Sequence, residues 1–356
     1  MSAPPILFTP GPTQVRPEVL QAFAAPVISH RGAEMTALMR ALVPQVRRVF
    51  ETREAVLFSS SSASGLMEGS IRNCVQRRSL HLVSGAFGER WRQLAADCGR
   101  QPDALRVAPG EAFSPEAVEA ALAKGDYEAV CLTHNETATG VTNPLAAIAR
   151  VVRAREGVLL MVDAVSSLGG IPVEVDRHGI DVCFASVQKA LALPPGFSLG
   201  AVSARALAKA RGLQGRGYYF DFVRLAEATE KGQPLATPSV AHLVALAAQL
   251  NLMLEEGMER RYARHAAMGE RVRQWARARF GVLAEAGFES NTVTCVTNTR
   301  GIDVADYLGR IKRRGYQISN GYGDLKQKTF RIGHMGEHTL EGIERLLALM
   351  DEELPA

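Results

Sequence analysis

From Ala55 to Ser203 the chain repeats one pattern: a short apolar run, a cluster of small or polar residues, then a helical periodicity. The runs are Ala55–Ser59, Leu80–Val83, Ala129–Thr133, Val158–Asp163, Asp181–Ala185 and Ser198–Val202. They are continuously apolar and do not alternate, which suits strands covered on both faces, and the intervening helical stretches suit right-handed crossovers. The pattern predicts an α/β fold with a mostly parallel sheet. Ser114-Pro115 starts one crossover helix, because the hydroxyl can accept from free amides and proline at the first helical position forfeits no hydrogen bond.

The flanks differ. Phe8-Thr-Pro-Gly-Pro-Thr13 is rich in breakers and reads as part of an arm crossing the surface over residues 1–15, with a helical pattern from Pro17. After Thr237 come helical stretches at 239–256 and 258–279, short strands at Thr292–Val296 and Thr329–Ile332, and a closing helix over Leu340–Leu354. This predicts a large domain over 16–250 and a smaller α+β domain over 251–356. There is no internal repeat.

Composition narrows the class. With 356 residues, 47% apolar and 22% charged, the chain has material for a large core and no signature of disorder. The net charge of +4 is spread along the chain, which argues against a nucleic-acid partner. The five cysteines include no CxxC pair and several lie in apolar runs, so they read as reduced thiols and offer no metal framework. Met1–Phe8 lacks the basic region of a signal peptide, and no apolar stretch reaches the roughly 18 residues of a membrane span. A cytoplasmic protein is expected.

In open α/β sheets ligands gather at the carboxyl ends of strands, so the polar residues following each run are the candidates. Ser59-Ser-Ser-Ser-Ala-Ser-Gly65 lies between a strand and a helix and could cradle a phosphate on backbone amides; otherwise it is a serine-rich loop. Asp163 ends the most apolar run, as a helix cap or a ligand partner. Lys189, in Ser-Val-Gln-Lys-Ala, is either a surface lysine or a partly desolvated amine of the kind that forms Schiff bases. Thr133-His-Asn-Glu-Thr-Ala-Thr-Gly-Val141 is dense in side-chain hydroxyls and reads alone as an ordinary turn. Arg331, within a short apolar strand, has the fork geometry for a carboxylate or phosphate, whether that of a ligand or of a structural ion pair.

Taken in order, these segments resemble those of class V aminotransferases: Thr-Pro-Gly-Pro-Thr, Ser-Ala-Ser-Gly-Leu-Met-Glu, Thr-His-Asn-Glu-Thr-Ala-Thr-Gly-Val, Val-Asp-Ala-Val-Ser-Ser, Gln-Lys-Ala-Leu-Ala-Leu-Pro-Pro-Gly and Phe-Arg-Ile-Gly-His-Met-Gly. The chain is similar to the alanine–glyoxylate and serine–pyruvate group from about residue 7 to 350. The resemblance implies fold type I of the enzymes dependent on pyridoxal 5'-phosphate (PLP), with a mostly parallel mixed sheet sandwiched by helices. It implies Lys189 as the Schiff-base lysine and proton shuttle, and Asp163 as the partner of the pyridinium nitrogen. Phe87 and Val165 would pack on the ring, and Thr137 would contact its phenolic oxygen. Ser62, Ala63, Ser64 and Gln188 would hold the phosphate, joined by Thr237 from the second subunit of a homodimer. Arg331 would bind the substrate carboxylate, with Gly11 close by. No metal is implied.

Two departures touch the phosphate ligands: Val187 stands where many members have serine, and Pro234 where some have tyrosine. The expected reaction is a ping-pong transfer from alanine or serine to glyoxylate or pyruvate, with no membrane or nucleic-acid partner. An acidic substrate, phosphoserine or aspartate, is the alternative, for which His30 or Arg31 could supply the extra cation. A cysteine desulfurase fits less well, since Gln188 precedes the lysine and the late Cys295 lies in a strand-like segment. A catalytically silent scaffold is opposed by the intact Lys189, Asp163 and Arg331.

Overall fold

The apolar runs form six strands of one seven-stranded sheet in a computed structural model that describes residues 4–354. Residues 1–3 of the expected arm and 355–356 of the expected small domain lie outside the described residues. The sheet runs Ala55–Ser59, Ser198–Val202, Val182–Ser186, Leu159–Asp163, Ala129–Thr133, Arg78–Val83, Gln101–Arg106. Ser198–Val202 is antiparallel to both neighbours and the remaining pairs are parallel, so the fold is α/β with a mostly parallel mixed sheet. Ala129–Thr133, Leu159–Asp163 and Val182–Ser186 are buried at every position, as continuous apolar runs require.

Register fixes the functional edge. Ser59 and Ser186 both pair with Ser198, and Thr133 pairs with Asp163, so the loops after these strands leave the sheet on one side. Ser114 Oγ accepts from the Ala117 amide at 3.1 Å and caps the helix Pro115–Leu122, as expected. The seventh strand, Gln101–Arg106, was not predicted: it is an edge strand that contains Pro102 and leaves most side chains partly or fully exposed.

The arm corrects an expectation. Phe8, Thr9 and Thr13 are buried, so the segment does not cross the surface. Ile6–Leu7 pairs in parallel with Tyr316–Gln317, the Gly333 amide donates to the Phe8 carbonyl at 2.7 Å, and the Thr13 amide donates to the Gln188 carbonyl at 3.1 Å. A buried loop must satisfy its backbone, and this one does so by bridging the C-terminal part and the Lys189 loop.

The C-terminal part has a four-stranded antiparallel sheet, in the order Gly281–Val282, Val293–Thr297, Thr329–Gly333, Ser319–Asn320, with Cys295 opposite Arg331. Helices Met258–Arg279 and Leu340–Glu352 cover it, and Trp275, Phe330 and Leu346 share its core with Phe8 of the arm. The preceding helix, Val240–Glu256, instead buries Leu243, Leu246 and Leu250 in the core of the large sheet. We therefore propose the division at Gly257, whose φ of +83° ends one helix and begins the next. Among the described residues no helix is long and apolar enough to cross a membrane.

Candidate active site

Loops from the functional edge enclose a cavity of about 140 Å³, several times what one water requires. Ser62, Ala63, Ser64, Phe87, Thr137, Asp163, Val165, Gln188 and Lys189 all line it. Asp163 and Lys189 arrive there because adjacent parallel strands, Leu159–Asp163 and Val182–Ser186, end beside each other.

Asp163 is buried, and its Oδ1 accepts from the Val165 amide at 2.8 Å. Burial pushes its carboxyl up to about 7; the Val165 N–H opposes this and nearby Glu136 adds to it. Lys189 shows the mirror effect: burial lowers its ammonium to about 8, Arg331 pushes the same way, and Asp163 opposes. Its Nζ donates to the Pro10 carbonyl, and its own carbonyl accepts from Thr13 Oγ1 at 2.9 Å. Gly11 packs on this side chain at φ +130°, and a Cβ there would lie 2.6 Å from Lys189 Nζ, so only glycine fits.

At the opposite end, Ser62 is the N-cap of the helix Ala63–Cys74, yet its side chain makes no capping bond. The first turn carries no acidic residue, so the positive end of this helix faces the cavity uncompensated. The Gln188 side-chain carbonyl is buried without a partner. Ser186 Oγ accepts from the Ala63 amide at 3.1 Å, which supplies a hydroxyl beside this end although Val187 is buried in the main core.

Arg331 comes from the C-terminal sheet and is buried. It donates to the carbonyls of Asn320 at 3.2 Å and Thr137 at 3.4 Å. Among the described residues, none of Asp163, Lys189 and Arg331 makes an ion pair. Buried ionisable groups without an opposite charge in contact are costly, and Asp163 and Lys189 in one cavity, with Arg331 bonded to the Thr137 carbonyl at its wall, suit a ligand that brings its own charges.

Five further residues line the cavity without having been singled out from the sequence: Met67, Ser186, Asn135, Ser166 and Arg90. Ser186 lies one position past the predicted strand end, and Arg90 follows Phe87 at helical spacing, on the same face. Ser166 Oγ accepts from Thr137 Oγ1 at 2.8 Å and from Asn135 Nδ2 at 2.8 Å, locking the Thr133–Val141 segment to the loop after Asp163. Glu136 is fully buried and accepts from the amides of Phe87 at 3.0 Å and Gly88 at 3.2 Å, so it compensates the start of the helix that carries Phe87. His134 instead bonds Ser167 Oγ at 3.0 Å, and burial lowers it to about 4, leaving it neutral.

Thr237 does not join this group. It is exposed in a separate cleft with Tyr219 and Leu235, where Arg31 bonds the Pro234 carbonyl at 2.9 Å, so Arg31 also lies away from Lys189. Cys295 is buried in its strand, and burial pushes its thiol up to about 11, the state of a packed core residue.

Known proteins resemble the chain over nearly its whole length. The Aminotransferase class-V family model matches residues 6–346. An uncharacterized aminotransferase of Methanocaldococcus jannaschii is 36% identical over 338 residues, covering 93% of this chain and 88% of that protein. The serine–glyoxylate aminotransferase of Methylorubrum extorquens is 33% identical over 348 residues, covering 93% and 86%. Among solved structures, an alanine–glyoxylate aminotransferase from Nostoc sp. superposes with a TM-score of 0.95 at 28% identity, covering 100% of this chain and 96% of that one. The chain belongs to the class V aminotransferases.

Proposed function

We propose that the enzyme uses PLP to move an amino group from alanine or serine to glyoxylate or pyruvate, in two half-reactions that share one site. The observation that carries this reading is the single cavity holding Lys189, Asp163 and the uncapped helix start at Ser62. The residues fit the cofactor: a free helix N-terminus for a phosphate, a buried carboxyl for a ring nitrogen and a depressed amine for an aldehyde.

When bound, PLP supplies an aldehyde that takes up amino groups and a ring that accepts the electron pair left at the substrate α-carbon. Ser62, Ala63, Ser64 and Gln188 hold the phosphate, with Ser186 beside them. Asp163 would hold a proton at the ring nitrogen, and a cation there would favour the ionised carboxylate. Phe87 and Val165 would pack against the ring, and Thr137 would meet its phenolic oxygen. Arg331 orients the substrate by its carboxylate. Lys189 Nζ would hold the proton removed from the substrate α-carbon, and burial keeps enough of the amine neutral to accept it.

Thr237 serves the partner's phosphate in a homodimer; its exposure beside Tyr218 and Tyr219, 55% and 42% exposed, supports this. Five unpaired thiols support a cytoplasmic setting. A screen of amino donors against 2-oxo acids tests the substrate assignment. Alanine or serine with glyoxylate or pyruvate should turn over fastest; a clear preference for phosphoserine or aspartate would refute it.

A further inference from the structure

Tyr322 belongs to the loop between strands Ser319–Asn320 and Thr329–Gly333 of the C-terminal part. Its ring centre lies 5.5 Å from that of Phe87 and 5.4 Å from the guanidinium carbon of Arg331. Its hydroxyl accepts from Arg90 Nη2 at 2.8 Å, and the Arg90 guanidinium carbon in turn lies 5.0 Å from the Phe87 ring centre. One half-buried tyrosine thus joins the residue proposed to hold the substrate carboxylate to two residues of the cavity wall.

Two consequences follow from this position. Arg331 has only two long carbonyl contacts besides the ring, at 3.2 and 3.4 Å, so the face of Tyr322 is a main restraint on its orientation. The same tyrosine also lines a second cleft of about 380 Å³, bounded by Val83, Ala138 and Thr139 together with the charged Glu89, Arg106 and Asp324. Tyr322 therefore touches Arg331 and the cavity-wall residue Phe87 with its ring and also lines this second cleft, which is large enough for a longer side chain.

We infer that Tyr322, anchored by Arg90, is the specificity-determining residue that limits this transaminase to small amino acids and 2-oxo acids. It does so by partitioning the substrate end of the cavity from the neighbouring cleft and by orienting Arg331. This rests on the proposed function. Discrimination by size in such a pocket comes from differential binding of a few methylenes, for which about 10–200-fold is the usual range.

The test uses the cofactor-loaded enzyme and the variants Tyr322→Ala and Tyr322→Phe. Visible absorbance reports cofactor uptake, and single-turnover bleaching gives kcat/KM for alanine, serine, leucine and phenylalanine. Equilibrium titration with propionate and 4-methylpentanoate reads binding without reaction. Tyr322→Ala should keep cofactor uptake, raise KM for alanine, and shift the leucine-to-alanine and 4-methylpentanoate-to-propionate ratios toward the larger ligand by about tenfold or more. Tyr322→Phe, which keeps the ring and loses the Arg90 bond, should raise KM for alanine a few-fold and leave both ratios unchanged. Unchanged ratios in Tyr322→Ala, with wild-type enzyme active, would overturn the inference. A wild-type protein that takes up cofactor but reacts with none of the small donors would instead overturn the proposed function, and the two failures are told apart by that control.

Discussion

Replacing Lys189 with alanine is expected to lower kcat by about 10³-fold or more, the scale of a general acid–base group that is also the attachment point for the cofactor. The loss should fall on kcat more than on cofactor affinity, because the phosphate cradle at Ser62–Ser64 and the carboxyl of Asp163 are untouched. Added methylamine should restore part of the rate, since it supplies the missing amine. The same lysine sets a pH dependence. Burial lowers its ammonium to about 8, and only the neutral amine attacks an aldehyde. Capture of PLP by apoenzyme, followed by visible absorbance, should therefore rise with pH and level off above about 8. An unperturbed lysine would still be climbing two pH units higher. Full activity of the alanine variant would remove Lys189 from the mechanism.

The second large effect is expected at Arg261, a fully buried side chain that does not line the Lys189 cavity. Its guanidinium donates to the Gly169 carbonyl at 2.9 Å, the Ala190 carbonyl at 2.7 Å and the Gly336 carbonyl at 3.2 Å. These carbonyls follow Asp163, Lys189 and Arg331 in the chain, so one arginine ties together the three loops that carry the proposed chemistry. It also pairs with Glu256 at 2.8 Å and Glu337 at 2.8 Å, and Glu337 contacts Arg16 at the end of the arm. Burial alone would raise the Glu337 carboxyl, yet Arg261, Arg16 and Gln249 together hold it down to about 2. Arg261→Met removes the donor to the Gly169 and Ala190 carbonyls and leaves the buried Glu337 carboxylate with only Arg16 and Gln249, and should cost about 3–5 kcal/mol in denaturant unfolding. A double variant with Glu337→Met should lose less than the sum, because the under-compensated buried charge is gone. A loss below about 1 kcal/mol would show that the network tolerates an apolar replacement.

How much of this was readable in the sequence follows from where each signal lies. The strands buried on both faces announced themselves as apolar runs, and the residues after them are those that line the cavity. Gln101–Arg106 gave no such signal because an edge strand needs no continuous apolar face. The arm's breakers were visible, but its burial depends on partners at Gln188, Tyr316 and Gly333 that no local window contains. Arg261 sits in Met-Glu-Arg-Arg-Tyr-Ala-Arg-His, which reads as a solvated helix face; only the approach of three distant carbonyls makes it a core residue. Tyr322 and Arg90 lie more than two hundred residues apart in the chain and meet only in the fold, so no local window reveals their contact. Conversely, Thr237 was singled out by resemblance, and within one chain it stands apart from the cavity.

The most direct measurement is the visible spectrum of the purified protein with PLP, before and after adding L-alanine or L-serine. A yellow protein that bleaches on adding either amino acid, and regains its colour with glyoxylate or pyruvate, is the expected result. A protein that takes up no PLP, or stays yellow with both donors, would contradict a transaminase built on Lys189, Asp163 and Arg331.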